Sequence, residues 1–321
     1  MNSNFENCSV DVICPVYNKA HLIDGFITSF LNKLPKSNFN LILINDGSSD
    51  NLEEVISKYA HDNIQLYNKE NGGVSSARNM GLTISKAEYV WFCDPDDEII
   101  ANGEDIIKLL YKEKADIYVF AYEESKLDSK KNYVKKNKAN NKYNFSDYLL
   151  QYDYFGSNNG ISTLWNKIYQ RCILEEHYFD VNLSNAEDRM FNLDILSGNG
   201  ICYVSDLIIY NHIIYKEGTL STVKSAKKIE DIKKVNEKNI EILSLYKSNL
   251  NLEKKMNILI LCKELMLYGQ KGITAYYFKE HKKQTIKIFP LVSWMEVLFM
   301  MPFNLYIYKT MKIINRLLTR S

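Results

Sequence analysis

Tyr89-Val90-Trp91-Phe92-Cys93-Asp94-Pro95-Asp96-Asp97 passes from an apolar run straight into clustered carboxylates. The apolar part reads as a short strand. A strand that ends in carboxylates suits a hard divalent cation such as Mg²⁺. Such a cation takes oxygen ligands, keeps some of its waters and commonly shares its site with substrate phosphates. An acidic surface turn has the same composition, so the segments on either side decide the reading.

Upstream, the hydrophobic period alternates. Ser9-Val10-Asp11-Val12-Ile13-Cys14 is a β-branched run that stops at Pro15. From Ala20 to Leu34, apolar residues recur at helical spacing (Leu22, Ile23, Phe26, Ile27, Phe30, Leu31, Leu34). Leu41-Ile42-Leu43-Ile44 is continuously apolar, as in a strand covered on both faces. Asp50 is set to cap a helix through Tyr59, Ile64-Gln65-Leu66-Tyr67 is a further strand, and Gly72-Gly73 opens a helix over Val74 to Ile84. Asp116 to Tyr122 adds a strand downstream. Strands alternating with helices predict an α/β fold, a mostly parallel, doubly wound sheet with helices on both faces. Ligands of such sheets sit beyond the carboxyl ends of the strands. Pro15, Tyr17, Asn18, Asp46 and Asp94 to Asp97 all lie at or just past strand ends, so one site is expected there.

A chain of 321 residues accommodates one large domain with an appendage, or two domains. Its net charge of +1 supplies no field that would gather nucleic acid, and no nucleic-acid partner is expected. The six cysteines form no Cys-x-x-Cys pair and read as buried or incidental thiols of a reducing compartment. Met1 to Asn7 is polar and lacks an apolar signal core, so the expected location is cytoplasmic. Lys126 to Lys142, rich in Lys and Asn, reads as a solvated loop.

From Ile229 to Ser321 the pattern is helical. Phe289 to Tyr308 is strongly apolar but interrupted by Glu296, Pro302 and Asn304, whereas a spanning helix takes about 20 mostly apolar residues. Lys309, Lys312, Arg316 and Arg320 follow. Apolar and aromatic residues beside a basic tail suit a helix pair lying in the membrane interface. A packed helix pair, or one that binds another subunit, has the same pattern.

Several short segments carry chemistry. The ring of Tyr17, next to a turn, can stack on a planar base. Asp46, in Asn45-Asp46-Gly47-Ser48-Ser49-Asp50, can accept a hydrogen bond from a pyrimidine N–H, while Ser49 or Asp50 caps the next helix. Asn71-Gly72-Gly73-Val74-Ser75-Ser76-Ala77-Arg78-Asn79-Met80-Gly81 opens a helix whose N-terminal amides, or Arg78, can reach a diphosphate. There is neither a Gly-x-Gly-x-x-Gly fingerprint nor a Gly-Lys-Ser/Thr phosphate loop. Ser184 or Asn185 can cap a helix with Glu187 and Asp188 in its first turn, where the helix dipole favours an ionised carboxylate. Trp165 is either a sugar-facing or a core side chain, and His212 reads as a satisfied core histidine.

Pro-Val-Tyr-Asn, Asn-Asp-Gly-Ser-Ser-Asp, Asn-Gly-Gly-Val-Ser-x-Ala-Arg-Asn-x-Gly and Asp-Pro-Asp-Asp, in that order, resemble the family 2 glycosyltransferases of the GT-A fold, including bacterial capsule, O-antigen and lipooligosaccharide enzymes. The likeness is strong over roughly the first 100 residues and continues weakly through Trp165-Asn166-Lys167 and Glu187-Asp188. It implies a GT-A domain over 1–225, with a nucleotide-binding half (1–125) and an acceptor-side half (126–225), and a helical region over 226–321. It also implies a UDP-sugar donor, Mn²⁺ or Mg²⁺, and inverting transfer to a glycan or lipid-linked glycan, with peripheral contact at the inner membrane face. By resemblance Pro15, Tyr17 and Asn18 line the nucleotide, Tyr17 stacks on uracil and Asp46 binds its edge. Arg78 helps to hold the nucleotide, and Asp94 and Asp96 hold the ribose or help position the metal. Asp97, or Asp96 in the other register, ligates the cation. Asp188 is the base, with Glu187 on the acceptor or the loop. A nucleotidyltransferase would want a Gly-rich basic loop after the first strand, which Pro15 to Ala20 lacks, and a non-catalytic scaffold would have little use for the intact acidic clusters.

Overall fold

Alternation of β-branched runs with amphipathic segments produces the expected start: β1 (Val10–Val16), α1 (Ile23–Lys33), β2 (Phe39–Asp46), α2 (Leu52–Ser57), β3 (Ile64–Lys69), α3 (Val74–Ile84) and β4 (Tyr89–Phe92). The computed structural model describes residues 8–59, 61–126, 132–135, 137, 140–151, 160–215 and 226–246. It divides into two compact units, Met1–Thr222 and Val223–Ser321. In the first unit β3, β2, β1 and β4 lie side by side and parallel. Chain order then continues through β5 (Glu98–Ile99), α4 (Gly103–Glu113), β6 (Ile117–Lys126), β7 (Tyr133–Lys135), β8 (Asn141–Asn144), α5 (Phe145–Gln151), β9 (Lys167–Gln170), a 3-10 turn (Arg171–Leu174), α6 (Glu187–Leu196) and β10 (Ile201–Ile214).

The sheet order is β3-β2-β1-β4-β9-β6-β10-β5. Its far half is mixed rather than parallel. β9 is antiparallel to both β4 and β6, whereas β10 is parallel to β6. Two reversals through β9 return β6 and β10 to the direction of β4. The last residues of β10 therefore emerge at the same edge as the last residues of β1, β2 and β4. The start of β9 reaches that edge too, because β9 runs the opposite way. This topology gathers the site from segments far apart in sequence.

Burial explains the strand composition. Val10, Val12, Cys14, Leu41, Leu43 and Trp91 have no exposed surface and join Phe26 and Phe30 of α1 in one core. On the opposite face Phe92 is met edge-on by Tyr169, Phe179 and Phe191, with ring centroids 5.3 to 6.0 Å apart. Asp11 interrupts β1 for a structural reason. Its carboxylate accepts from Asn40 Nδ2, Ser85 Oγ and the Lys86 and Ala87 amides, which fastens the α3–β4 turn. Gly81 is the close-approach residue between α3 and β1. A Cβ there would lie 2.4 Å from Ile13 Cγ2, inside van der Waals contact.

Four local expectations change. The first strand continues through Pro15 to Val16, with Pro15 opposite Ile44. Asp50 does not cap α2; its Oδ2 accepts from the Ala20 amide at 2.9 Å instead, and the cap position is Asn51. The cap position of α6 is Ala186, with φ +62, rather than Ser184 or Asn185. Within Lys126 to Lys142, the described residues include two exposed strands: β7 pairs with β6, and β8, which begins at Asn141, pairs with β10. Their polar composition reflects a solvated ribbon at the sheet margin.

In the second unit, α7 (Ala226–Ser244) is the described helix. The apolar segment Phe289 to Tyr308 and the basic tail after it lie outside the described residues. Among the described residues no helix is long and apolar enough to cross a membrane.

Candidate active site

The turns after β1 and β2 are tied together. Asn18 takes the left-handed conformation (φ +51), which asparagine tolerates better than most residues. Its amide donates to Ser48 Oγ, and its side-chain oxygen accepts from the Ser49 amide at 2.8 Å. Pro15 is buried beneath these turns, while the Tyr17 ring stands 51% exposed above them. A rigid turn thus presents an exposed aromatic face.

Asp46, 3% exposed, organises the neighbouring loop. Oδ1 accepts from the Gly72 amide and from Lys69 Nζ, and Oδ2 from the Gly73 amide at 2.8 Å. Gly73 has φ +84, a conformation that favours glycine, and it is the cap position of α3. Asp46 therefore sets where α3 begins. Asp46→Ala is expected to orphan two amides and an ammonium, costing about 2 kcal/mol in urea unfolding. The same change should weaken nucleotide binding measured by calorimetry.

Each aspartate of the turn after β4 meets a basic side chain. Asp94 Oδ1 lies 3.4 Å from Arg78 Nη2. Asp96 Oδ2 lies 3.0 Å from Lys19 Nζ, and the Asp96 carbonyl accepts from Tyr215 OH. Asp97, 2% exposed, is held by the Ile213 amide at 2.7 Å and by His212 Nδ1 at 3.2 Å. Burial lowers the His212 pKa, but the hydrogen bond and charge of Asp97 outweigh it and leave the imidazole raised above its ordinary value.

Arg78 joins this cluster to α6. Nη1 donates to Asp188 Oδ1 at 2.6 Å and to Glu187 Oε1 at 3.2 Å. The guanidinium is 5% exposed and lies 5.4 Å from the centroid of Phe179, which stacks on Phe191 at 3.9 Å. Asn79 fixes that wedge by accepting from the Phe179 amide and donating to its carbonyl. The sequence pattern brings Asp94, Glu187 and Asp188 around one arginine, although 110 residues separate Arg78 from Asp188. Burial raises the Asp188 carboxyl well above the ordinary carboxylate range; Arg78 pulls it down, and Glu187 alongside pushes it up again.

His212, Trp165 and Lys167 are more involved than the sequence suggests. Trp165 stacks on Tyr210 (5.2 Å) and on His212 (5.1 Å), and its carbonyl accepts from Trp91 Nε1. Tyr210 OH in turn accepts from the Asp94 amide at 2.9 Å. Trp165 is thus the floor that positions β10 against the acidic turn. The signal was the i, i+2 spacing of Tyr210 and His212, which puts both on one face of a strand.

Lys167 is 1% exposed, and its Nζ donates to the Thr163 carbonyl and to Asn166 Oδ1. Burial pulls its pKa from 10.5 down to about 7, opposed by charges that include Asp188. An unfolded chain binds that proton more readily between those values. Stability should therefore rise as pH climbs from about 7 toward 10, by up to about 1.4 kcal/mol per unit, and lie flat below. Urea melts of wild type and Lys167→Met check this: the variant should lose that part of the slope.

The donor set fits a divalent cation. Asp94 and Asp96 offer partly exposed hard oxygens (31% and 20%), while Asp97 stands behind them on His212. Among the described residues no three His, Cys, Asp or Glu side chains already form a metal cage. A cation held by one or two carboxylates, waters and substrate phosphates needs none.

The family model described as glycosyl transferase family 2 matches residues 11–178. The minor teichoic acid biosynthesis protein GgaB of Bacillus subtilis is 37% identical over 127 residues, which cover 38% of this chain and 14% of GgaB. EpsJ of the same organism, an uncharacterized glycosyltransferase, is 29% identical over 57% of this chain and 55% of its own length. The chain therefore spans less than two thirds of either relative. The cholesterol galactosyltransferase of Borreliella burgdorferi is 27% identical over 89% of this chain and 76% of its own. Among solved structures, S. aureus TarS 1-349 in complex with UDP-GlcNAc superposes with a TM-score of 0.62 at 21% identity, covering 86% of this chain and 77% of that one. The fold is that of TarS, of GT-A type, and the match over more than half of its length makes this chain a member of glycosyl transferase family 2.

Proposed function

We propose that the protein transfers a sugar from a UDP-sugar to a hydroxyl of a glycan or lipid-linked glycan, with inversion. The observation that carries this reading is Arg78, which brings the carboxylate after β4 and the acids opening α6 within reach of one guanidinium. A donor phosphate side and a base side are thereby adjacent. The TarS complexes with UDP-GlcNAc and with UDP support the nucleotide. The teichoic acid and cholesterol relatives support a cell-envelope or lipid-linked acceptor.

In this reading Tyr17 stacks on uracil, Asp46 binds its edge through the remaining lone pair of Oδ2, and Pro15 and Asn18 shape the wall. Asp94 and Asp96 take the ribose and phosphate side. Asp96, with Asp97 beside it, would hold Mn²⁺ or Mg²⁺, which when bound would give Lewis-acid stabilisation of the leaving diphosphate. Asp188 takes the acceptor proton. Arg78 donates to its Oδ1, and burial raises its carboxyl above the ordinary range, which makes the ionised form a stronger base. The hydroxyl oxygen then bonds the anomeric carbon as the bond to UDP breaks, so an α-linked donor gives a β-linked product. Glu187 orients the acceptor. The C-terminal region, by its apolar and basic sequence, keeps the enzyme at the inner face of the membrane.

Thermal melts with Mn²⁺ and a panel of nucleotide sugars test the reading. UDP-sugars should stabilise the protein, by about 2.7 kcal/mol at a hundredfold excess over Kd. Stabilisation by GDP- or CMP-sugars instead, or by none, would overturn it.

A further inference from the structure

Lys19 is a lysine beside the acidic turn that neither the motifs nor the proposed chemistry uses. It follows the left-handed Asn18, and the next amide, Ala20, is fixed to Asp50 at 2.9 Å. The backbone on both sides is thus pinned. Its Nζ reaches across to Asp96 Oδ2 at 3.0 Å, with both side chains only partly exposed (27% and 20%). Arg78 faces Asp94 and His212 faces Asp97, so Lys19 completes a set in which each aspartate of the turn has a basic partner.

From this we infer that Lys19 is a positioning residue that guards Asp96 and makes metal uptake depend on the nucleotide. The inference rests on the donor-site reading above. A divalent cation arriving alone meets a carboxylate whose charge is already balanced by an ammonium, and the two cations repel. A diphosphate changes that balance. It brings enough negative charge for both cations, and Lys19 moves from Asp96 to a phosphate oxygen while the metal takes the carboxylate. Metal and nucleotide then bind with positive coupling, which is reciprocal by linkage. Methionine keeps the length and apolar stem of the side chain without the charge, so Lys19→Met isolates the electrostatic part.

The test is electron paramagnetic resonance of free Mn²⁺ titrated with wild type and with Lys19→Met, each with and without UDP, corrected for Mn²⁺ bound by UDP alone. Wild type should bind Mn²⁺ weakly by itself and far more tightly with UDP. Without UDP, Lys19→Met should bind Mn²⁺ about tenfold more tightly than wild type, as expected when one unit charge leaves a partly exposed carboxylate. With Mn²⁺ saturating, the same variant should bind UDP about tenfold more weakly in calorimetry, for loss of one phosphate contact. Equal Mn²⁺ affinity of the two proteins without UDP, alongside normal nucleotide-dependent uptake, would overturn the role of Lys19 and leave the donor site standing. No uptake by either protein with UDP present would overturn both.

Discussion

Asp188→Asn is expected to lower turnover by about three orders of magnitude while the protein stays folded and binds UDP within a few-fold of wild type. The amide keeps an oxygen for Arg78 Nη1, so the contact at 2.6 Å has a substitute, but it cannot take a proton. The pH profile gives a second reading. A base must be ionised, and burial raises the Asp188 carboxyl above the ordinary range. Wild-type turnover should therefore climb with pH through that raised value and then level. The residual activity of Asp188→Asn should lack this climb. Unchanged turnover in the variant would remove Asp188 as the base.

Arg78→Ala should have the largest effect on stability. Its guanidinium is 5% exposed and faces Asp94, Glu187 and Asp188. Removing it leaves three carboxylates close together in a poorly solvated place, and breaking a buried ion network in this way costs about 3–5 kcal/mol. The sign with pH follows from the carboxylates. Burial already raises the Asp94 carboxyl to about 6 and the Asp188 carboxyl well above the ordinary range; without the guanidinium their ionised forms are still less favourable, and protonation relieves them as pH falls. The urea midpoint gap between wild type and variant should thus be widest at pH 8 and narrow toward pH 5. Arg78→Lys should recover part of the loss, because one ammonium cannot reproduce the separate contacts of Nη1 and Nη2. A gap that did not change with pH would mean that packing against Phe179, not charge, is what Arg78 contributes.

The first half of the fold was legible because its signals are local. Leu41 to Ile44 and Tyr89 to Phe92 are apolar runs with both faces covered, Val10 to Cys14 departs from one only at Asp11, and Gly72-Gly73 announces α3. The second half was not, because its strands depend on partners. β9 is short and begins with Lys167, a residue that suits a strand only because its ammonium meets Thr163 and Asn166. β7 and β8 are polar, and pairing with β6 and β10 defines them. The helix caps failed for a similar reason. Asp50 has the right chemistry to cap α2, yet a stronger demand from the Ala20 amide takes its carboxylate.

The candidate site divides the same way. Acids after strand ends and in first helical turns are common, so residue types alone left Asp46, Asp94 to Asp97 and Glu187-Asp188 as candidates, and the order of the four motifs, as a resemblance, gave them roles. Their partners were invisible. Arg78 was expected on a phosphate and instead lies among carboxylates, a placement that requires the first turn of α6 to reach the Arg78 guanidinium. His212 looked like a core residue until two antiparallel steps through β9 turned β10 to face Asp97.

The most direct measurement is an anomalous difference map from crystals grown with Mn²⁺ and UDP. A manganese peak at Asp96, with uracil between Tyr17 and Asp46 and the diphosphate on the Asp94 side, is the predicted result. Nucleotide density elsewhere on the protein, or manganese remote from the turn after β4, would contradict it.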